Sequence, residues 1–138
     1  MAEVRYLYPH RKRLEILSAV FAAGFGVNLW LTAQDGAPLA WAGLDNAAAL
    51  LFGQAVSWAA FVHGLGVKVN GQWRWSPALR LVGMSCHAVL FAWLASRGAG
   101  GTAVYTYGWI SLLMAYGAYS AGVDTYRAAK GRPEWMPN

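Results

Sequence analysis

The sequence predicts an all-α protein, an integral membrane bundle of four transmembrane helices with both termini on the cytoplasmic side. Three observations lead to this prediction. Four stretches of the 138-residue chain are mostly apolar over about 20 residues, the length at which a helix crosses a bilayer. Only 12% of the residues are charged, against about 25% in a typical soluble domain. The basic residues also cluster in alternate connections between the stretches, which is typical of membrane proteins.

The four predicted spans cover residues 14–33, 46–67, 77–96 and 102–123. The connections between them are short and rich in Gly, Asp, Asn and Pro, which favour turns and loops. Ser76 followed by Pro77 is typical of a helix start, because serine can cap the helix and proline fits its first position. Asp45 is expected to cap the second span in the same way. We therefore expect one membrane domain over residues 1–138, with a short cytoplasmic tail at 124–138.

The basic residues set the predicted orientation. Ten of them lie on one side of the proposed membrane: Arg5, Arg11, Lys12, Arg13, Lys68, Arg74, Arg80, Arg127, Lys130 and Arg132. Arg97 alone lies on the other side. The positive-inside rule then places both termini in the cytoplasm. The net charge of +5 would by itself also suit nucleic-acid binding, but the alternation is better explained by anchoring at the membrane interface. No nucleic-acid partner is expected.

The fourth span has two different faces. Small residues recur on one face at spacings of three and four, and they form the predicted packing face: Gly108, Ser111, Ala115, Ala118 and Gly122. Such faces let membrane helices approach closely, either within one bundle or between copies of the chain, and both readings stay open. The opposite face is aromatic and is a candidate contact surface for a partner: Tyr105, Trp109, Leu112, Tyr116 and Tyr119.

Three polar residues are predicted to lie near the middle of the membrane. From a rise of about 1.5 Å per residue, Gln54, His87 and Ser111 all fall near mid-depth and could form one polar layer. His87 then either hydrogen-bonds to Gln54 or a serine and serves packing, or lines a path for protons or a solute. Glu15 and Asp124 are expected near the cytoplasmic interface, where Asp124 can pair with Arg127 one turn along the helix.

No catalytic, metal-binding or cofactor-binding constellation is recognisable in the sequence. Cys86 and His87 are adjacent and therefore point about 100° apart on a helix, so they do not form a nucleophile–base pair. The single cysteine excludes an intramolecular disulfide. The three histidines, His10, His63 and His87, lie in three different regions of the sequence. This spread argues against a metal or haem site. We therefore expect no enzyme activity and no cofactor.

Two short stretches resemble a known group of proteins. Residues 10–15 (HRKRLE) open the first span, and residues 73–80 (WRWSPALR) open the third. Together with the four-span layout they resemble small multi-pass membrane proteins of tailed bacteriophages and prophages, some of which are called holin-like. The resemblance implies a location in the bacterial cytoplasmic membrane and no catalytic residues.

Three functional hypotheses follow. The first is an accessory protein without an active site, which binds another membrane protein or a second copy of itself through helix–helix contacts. The second is a holin-like protein that permeabilises the membrane on accumulation. The third is a small channel or transporter that uses the predicted layer of Gln54 and His87. In each case the lipid bilayer is the immediate surrounding of the chain.

Overall fold

The structure is a computed structural model, and it describes residues 9–35, 44–70, 73, 75–97 and 101–130, with side chains from residue 13 onward. These residues form four α-helices: α1 (Pro9–Gln34), α2 (Asn46–Lys68), α3 (Ser76–Arg97) and α4 (Gly101–Ala129). The first three are long and apolar enough to cross a membrane, over Arg13–Gln34, Asn46–Lys68 and Ser76–Arg97. The described residues are therefore all-helical as predicted, and three of the four helices have the length and composition needed to cross a membrane. The predicted tail beyond residue 130 lies outside the described residues.

The helix starts show which local signals were interpreted correctly. The side chain of Asp45 accepts a hydrogen bond from the backbone N–H of Ala48 at 2.7 Å, so it caps α2 as predicted. Pro77 lies in the first turn of α3, one position further in than predicted. Ser76 differs, because it is the first residue inside α3 and its hydroxyl donates to Oδ1 of Asn70 at 3.2 Å. Its side chain thus ties the helix start to the preceding connection.

The helices pack in chain order, α1 on α2, α2 on α3 and α3 on α4. Glycines permit the close approaches at the first two interfaces. A Cβ atom at Gly26 would lie 2.7 Å from the backbone oxygen of Gly53, and one at Gly83 would lie 2.8 Å from Cα of His63. Lipid provides no hydrophobic drive for helix association, so backbone contacts of this kind are a main source of packing energy in membranes.

An aromatic cluster links α1 to α3 and α4. Phe25 of α1 has its ring centre 5.4 Å from that of Phe91 in α3 and 5.9 Å from that of Tyr107 in α4. Phe91 and Tyr107 are stacked with ring centres 6.3 Å apart. Phe91 is completely buried. The large rings therefore fill the space between helices whose backbones do not approach closely.

The face by which α4 packs overlaps the predicted small-residue face only in part, since Ser111 and Ala118 contribute to it. The buried residues of α4 are Met114, Ala118, Ala121 and Asp124. Ala115 is exposed, and a Cβ atom at Gly108 would meet nothing within 4 Å. A Cβ atom at Gly122 would make only an ordinary contact of 3.7 Å with Leu81. The helix is rotated because Met84 of α3 packs against Gly117 and because Asp124 must reach a buried arginine.

Candidate functional site

The main polar cluster is built around Arg80, whose side chain is completely buried. Its Nη2 atom donates to Oε1 of Glu15 at 2.8 Å and to Oδ2 of Asp124 at 3.0 Å. Its Nη1 atom donates to Oδ1 of Asn70 at 3.2 Å. One guanidinium thus joins α1, α3, α4 and the connection that follows α2. Glu15 and Asp124 are also buried, so both charge pairs are shielded from solvent and screened little by salt.

The position of Arg80 explains how this cluster forms. Helical side chains tilt toward the helix N-terminus, so a long side chain in the second turn of α3 reaches back toward the connection that carries Asn70. Gly66 of α2 leaves room for its stem, since a Cβ atom there would lie 2.9 Å from Cγ of Arg80. The sequence analysis assigned Asp124 to Arg127 in its own helix. The structure instead pairs Asp124 with Arg80, from a neighbouring helix.

A second cluster lies about two helical turns deeper. His63 of α2 and His87 of α3 are both completely buried, and their ring centres are 5.9 Å apart at an interplanar angle of 66°. None of the four ring nitrogens forms a hydrogen bond with the part of the chain that the structure describes. The backbone of Val56 lies close to the His87 ring, but not in hydrogen-bonding geometry. Sequence reasoning treated the histidines as dispersed and missed this pair.

The predicted layer of Gln54, His87 and Ser111 is not assembled. Gln54 is exposed on the outer surface of α2, whereas His87 is buried between α2 and α3. Gln54 and His63 are nine positions apart in α2, which places them on opposite faces of that helix at about 100° per residue. The ring beside His87 therefore belongs to His63. Depth can be read from the sequence, but the rotation of each helix cannot.

Ser111 has a structural contact. Its hydroxyl donates to the backbone oxygen of Ala88 at 2.8 Å and so joins α4 to α3. Hydrogen bonds between membrane helices are worth about 0.6 kcal/mol on average. We expect Ser111→Ala to lower the free energy of unfolding by about this amount. Thermal unfolding in detergent checks this, with Ser96→Ala as the control, because Ser96 bonds only within its own turn. Equal effects of the two substitutions would contradict the assignment.

The aromatic face of α4 is the largest exposed feature near these clusters. Tyr105, Trp109, Tyr116 and Tyr119 have 72%, 64%, 73% and 70% of their surface exposed. Ser111 contacts α3 at the level of Ala88, and Asp124 contacts Arg80, so the four aromatic residues flank the depth of the histidine pair. The structure thus leaves the predicted partner face uncovered.

No group of three or more His, Cys, Asp or Glu side chains that could hold a metal occurs within the described ranges. Cys86 is a free, exposed thiol on the surface of α3. No family model, curated protein or solved structure matches this chain. The features available for function are therefore the buried charges, the histidine pair and the exposed aromatic face.

Proposed function

We propose that the chain is an accessory protein of the bacterial cytoplasmic membrane that spans it four times and acts by binding another membrane protein. The observation that carries this proposal is the uncovered aromatic face of α4. Tyr116 and Tyr119 lie on the lipid side of a helix whose other face is packed on α3. A tyrosine hydroxyl in hydrocarbon has no partner unless it reaches the interface or another protein. A partner helix with polar groups would provide one.

The fourth span is supported by the contacts of α4. It runs beside α3 from the Ser111–Ala88 hydrogen bond to the Asp124–Arg80 ion pair, so it shares the depth of a helix that is apolar enough to cross the membrane. Its 29 residues correspond to about 43 Å, more than the roughly 30 Å of hydrocarbon. Of its two charged residues, Arg127 lies in the last turn, and Asp124 is buried and paired, which lowers the cost of placing it near the membrane.

The cytoplasmic location of both termini is supported by the geometry of the charges. The cluster of Glu15, Asn70, Arg80 and Asp124 brings the start of α1, the end of α2, the start of α3 and the end of α4 to one end of the bundle. The basic residues of these four helix ends lie at that same end. Arg97 lies at the opposite end, where its guanidinium sits over the ring of Trp93 at 5.2 Å. The positive-inside rule then assigns the basic end to the cytoplasm.

The surface favours an accessory protein over a pore. A holin-like assembly that lines a water-filled lesion needs a polar face, whereas the described helices expose mainly large apolar and aromatic side chains. The transport hypothesis relied on Gln54 beside His87, and these residues lie apart. Expression from a tightly controlled promoter with a potential-sensitive dye distinguishes the alternatives. We expect steady membrane potential and normal growth, and an abrupt collapse of the potential after a lag would contradict the proposal.

The partner face can be tested by site-specific crosslinking. A photo-crosslinking amino acid at Tyr116 or Tyr119 is expected to trap a defined membrane protein in the bacterial host. The matched control is Val20, which is 64% exposed on α1 and should face lipid alone. Products of equal yield from Tyr116 and Val20 would contradict a specific face. A product at twice the mass of the chain would identify a second copy as the partner and contradict the proposed binding of a different membrane protein.

Loss of the aromatic rings gives a quantitative prediction. Aromatic contacts contribute about 0.5–1.5 kcal/mol each, so Tyr116→Leu with Tyr119→Leu is expected to weaken the association roughly tenfold. The yield of crosslinks from Trp109, measured at equal expression, reports the change. Leu17→Ala with Val20→Ala on α1 serves as the control. An undiminished yield after the two tyrosine substitutions would assign the contact to another surface.

A further inference from the structure

The histidine pair is costly to bury without a ligand. An imidazole carries one donor and one acceptor when it is neutral, and an unpaired polar group in an apolar interior costs free energy. His63 and His87 are completely buried, and no described residue hydrogen-bonds to their ring nitrogens. Each therefore has nitrogen atoms available to a ligand that is small enough to enter between two packed helices.

The spacing of the two rings is compatible with two imidazoles that share one metal ion. Two metal–nitrogen bonds of about 2.0 Å each, together with half the width of each ring, add to about 6 Å between the ring centres. The ring centres of His63 and His87 are 5.9 Å apart. The angle of 66° between the planes is compatible, because each ring can rotate about its own metal–nitrogen bond. A porphyrin is too large for this space, since the backbone of α3 at Gly83 lies directly against His63.

The side chains near His63 and His87 indicate which metal ion the pair would bind. No third His, Cys, Asp or Glu groups with the pair in the described part of the chain, so the usual sets of ligands for zinc or calcium are incomplete. Met84, one turn before His87, is buried in α3. Met114 is buried in α4, midway between Ser111 and Gly117, which contact Ala88 and Met84 respectively. Both methionines therefore lie near the depth of His87, and thioethers favour soft ions such as Cu(I).

We propose that His63 and His87 form a binding site for a single Cu(I) ion, which bridges α2 and α3 inside the bundle. One nitrogen of each imidazole is a ligand, and the buried Met84 and Met114 lie near the same depth of the bundle. This site is independent of the proposed partner face on α4.

The test uses the full chain in mild detergent with Cys86 replaced by serine. Cys86 is exposed and would bind soft metals by itself, so its removal leaves the buried site. Cu(I) is presented anaerobically as its complex with bicinchoninate, and the fall in the colour of this complex reports transfer to the protein. Ag(I), which does not change oxidation state here, is measured by retention through gel filtration. We expect one equivalent of either ion per chain and no retained Zn(II).

Histidine variants distinguish this site from adventitious binding. His63→Leu and His87→Leu are each expected to fold, since leucine removes unpaired polar groups, and to lose the bound ion. His87→Met is expected to restore part of the Ag(I) retention, because a thioether replaces the lost ligand. His10→Ala is the control and is expected to retain the ion. Elution volume and helical circular dichroism establish folding for every variant.

X-ray absorption on the metal-loaded Cys86→Ser protein provides a measurement that needs no histidine variant. We expect two nitrogen neighbours in the nearest shell. Retention of the ion by both folded leucine variants, or a nearest shell made of sulfur alone, would overturn the proposal. Failure of the Cys86→Ser protein to take Cu(I) from bicinchoninate or to retain Ag(I) would overturn it as well. These outcomes are independent of crosslinking through Tyr116.

Discussion

Replacement of Arg80 by methionine is expected to remove a large part of the folding stability of the chain. The substitution leaves Glu15 and Asp124 buried without the guanidinium that pairs with both of them. Removal of one partner of a buried ion pair costs about 3–5 kcal/mol. Because a typical protein is stable by only about 5–15 kcal/mol, a loss of this size is a large fraction of the total. Thermal unfolding in detergent, followed by gel filtration and circular dichroism, measures the effect.

Two further variants show whether the loss of the buried ion pairs causes the destabilisation. Arg13 is exposed at the same end of the bundle, so Arg13→Met removes a positive charge without uncovering a buried carboxylate, and its effect should stay within about 0.5 kcal/mol. The combination of Glu15→Gln, Arg80→Met and Asp124→Asn should recover much of the stability, since neutral replacement of a buried ionic group is often tolerated. Equal stability of the Arg80→Met and Arg13→Met proteins would show that the cluster does not hold the helices together.

Features that depend on residues close together in the sequence could be predicted. The helix positions were predictable because each apolar stretch is long enough to be recognised by composition alone. The cap at Asp45 was predictable because its partner, the N–H of Ala48, is three residues away. The pairs formed by Arg80 were not, since Glu15 and Asp124 are 65 and 44 positions away along the chain. No local pattern records which carboxylates a helix will meet.

The rotation of each helix about its own axis was the second feature that the sequence could not predict. The sequence fixes which residues share a face of one helix, but it does not state which face meets a neighbour. The aromatic face of α4 was identified correctly as a face, and the structure leaves it exposed. The small-residue face was expected to pack either within the bundle or between copies. Ser111 and Ala118 of this face lie at the contact with α3, whereas Gly108 and Ala115 lie outside it. The predicted pairing of Gln54 with His87 was wrong for the same reason, because α2 turns His63 and not Gln54 toward α3.

The glycines provide the second large expected effect. A Cβ atom at Gly83 would lie 2.6 Å from Cβ and 2.8 Å from Cα of His63, and one at Gly53 would lie 2.8 Å from the backbone nitrogen of Trp30. These neighbours are backbone atoms or lie beside them, so an added methyl group must separate two helices. Overpacking of this kind costs about 1–3 kcal/mol and sometimes more. We therefore expect Gly53→Ala and Gly83→Ala to lower the unfolding temperature clearly.

Gly108→Ala is the matched control. It shows whether the effect of a Gly→Ala substitution on stability comes from packing between helices or from the intrinsic helix preference of alanine. A Cβ atom at Gly108 would meet nothing within 4 Å, so this substitution should be neutral or stabilise the helix by up to about 1 kcal/mol. Gly83→Ala has a second consequence that Gly53→Ala lacks, because it separates α2 from α3 where His63 and His87 face each other. Folded Gly83→Ala protein should therefore lose Ag(I), whereas folded Gly53→Ala protein should retain it. A destabilised Gly108→Ala protein would contradict the packing of α4. Retention of Ag(I) by folded Gly83→Ala protein would show that the contact at Gly83 does not affect the metal site.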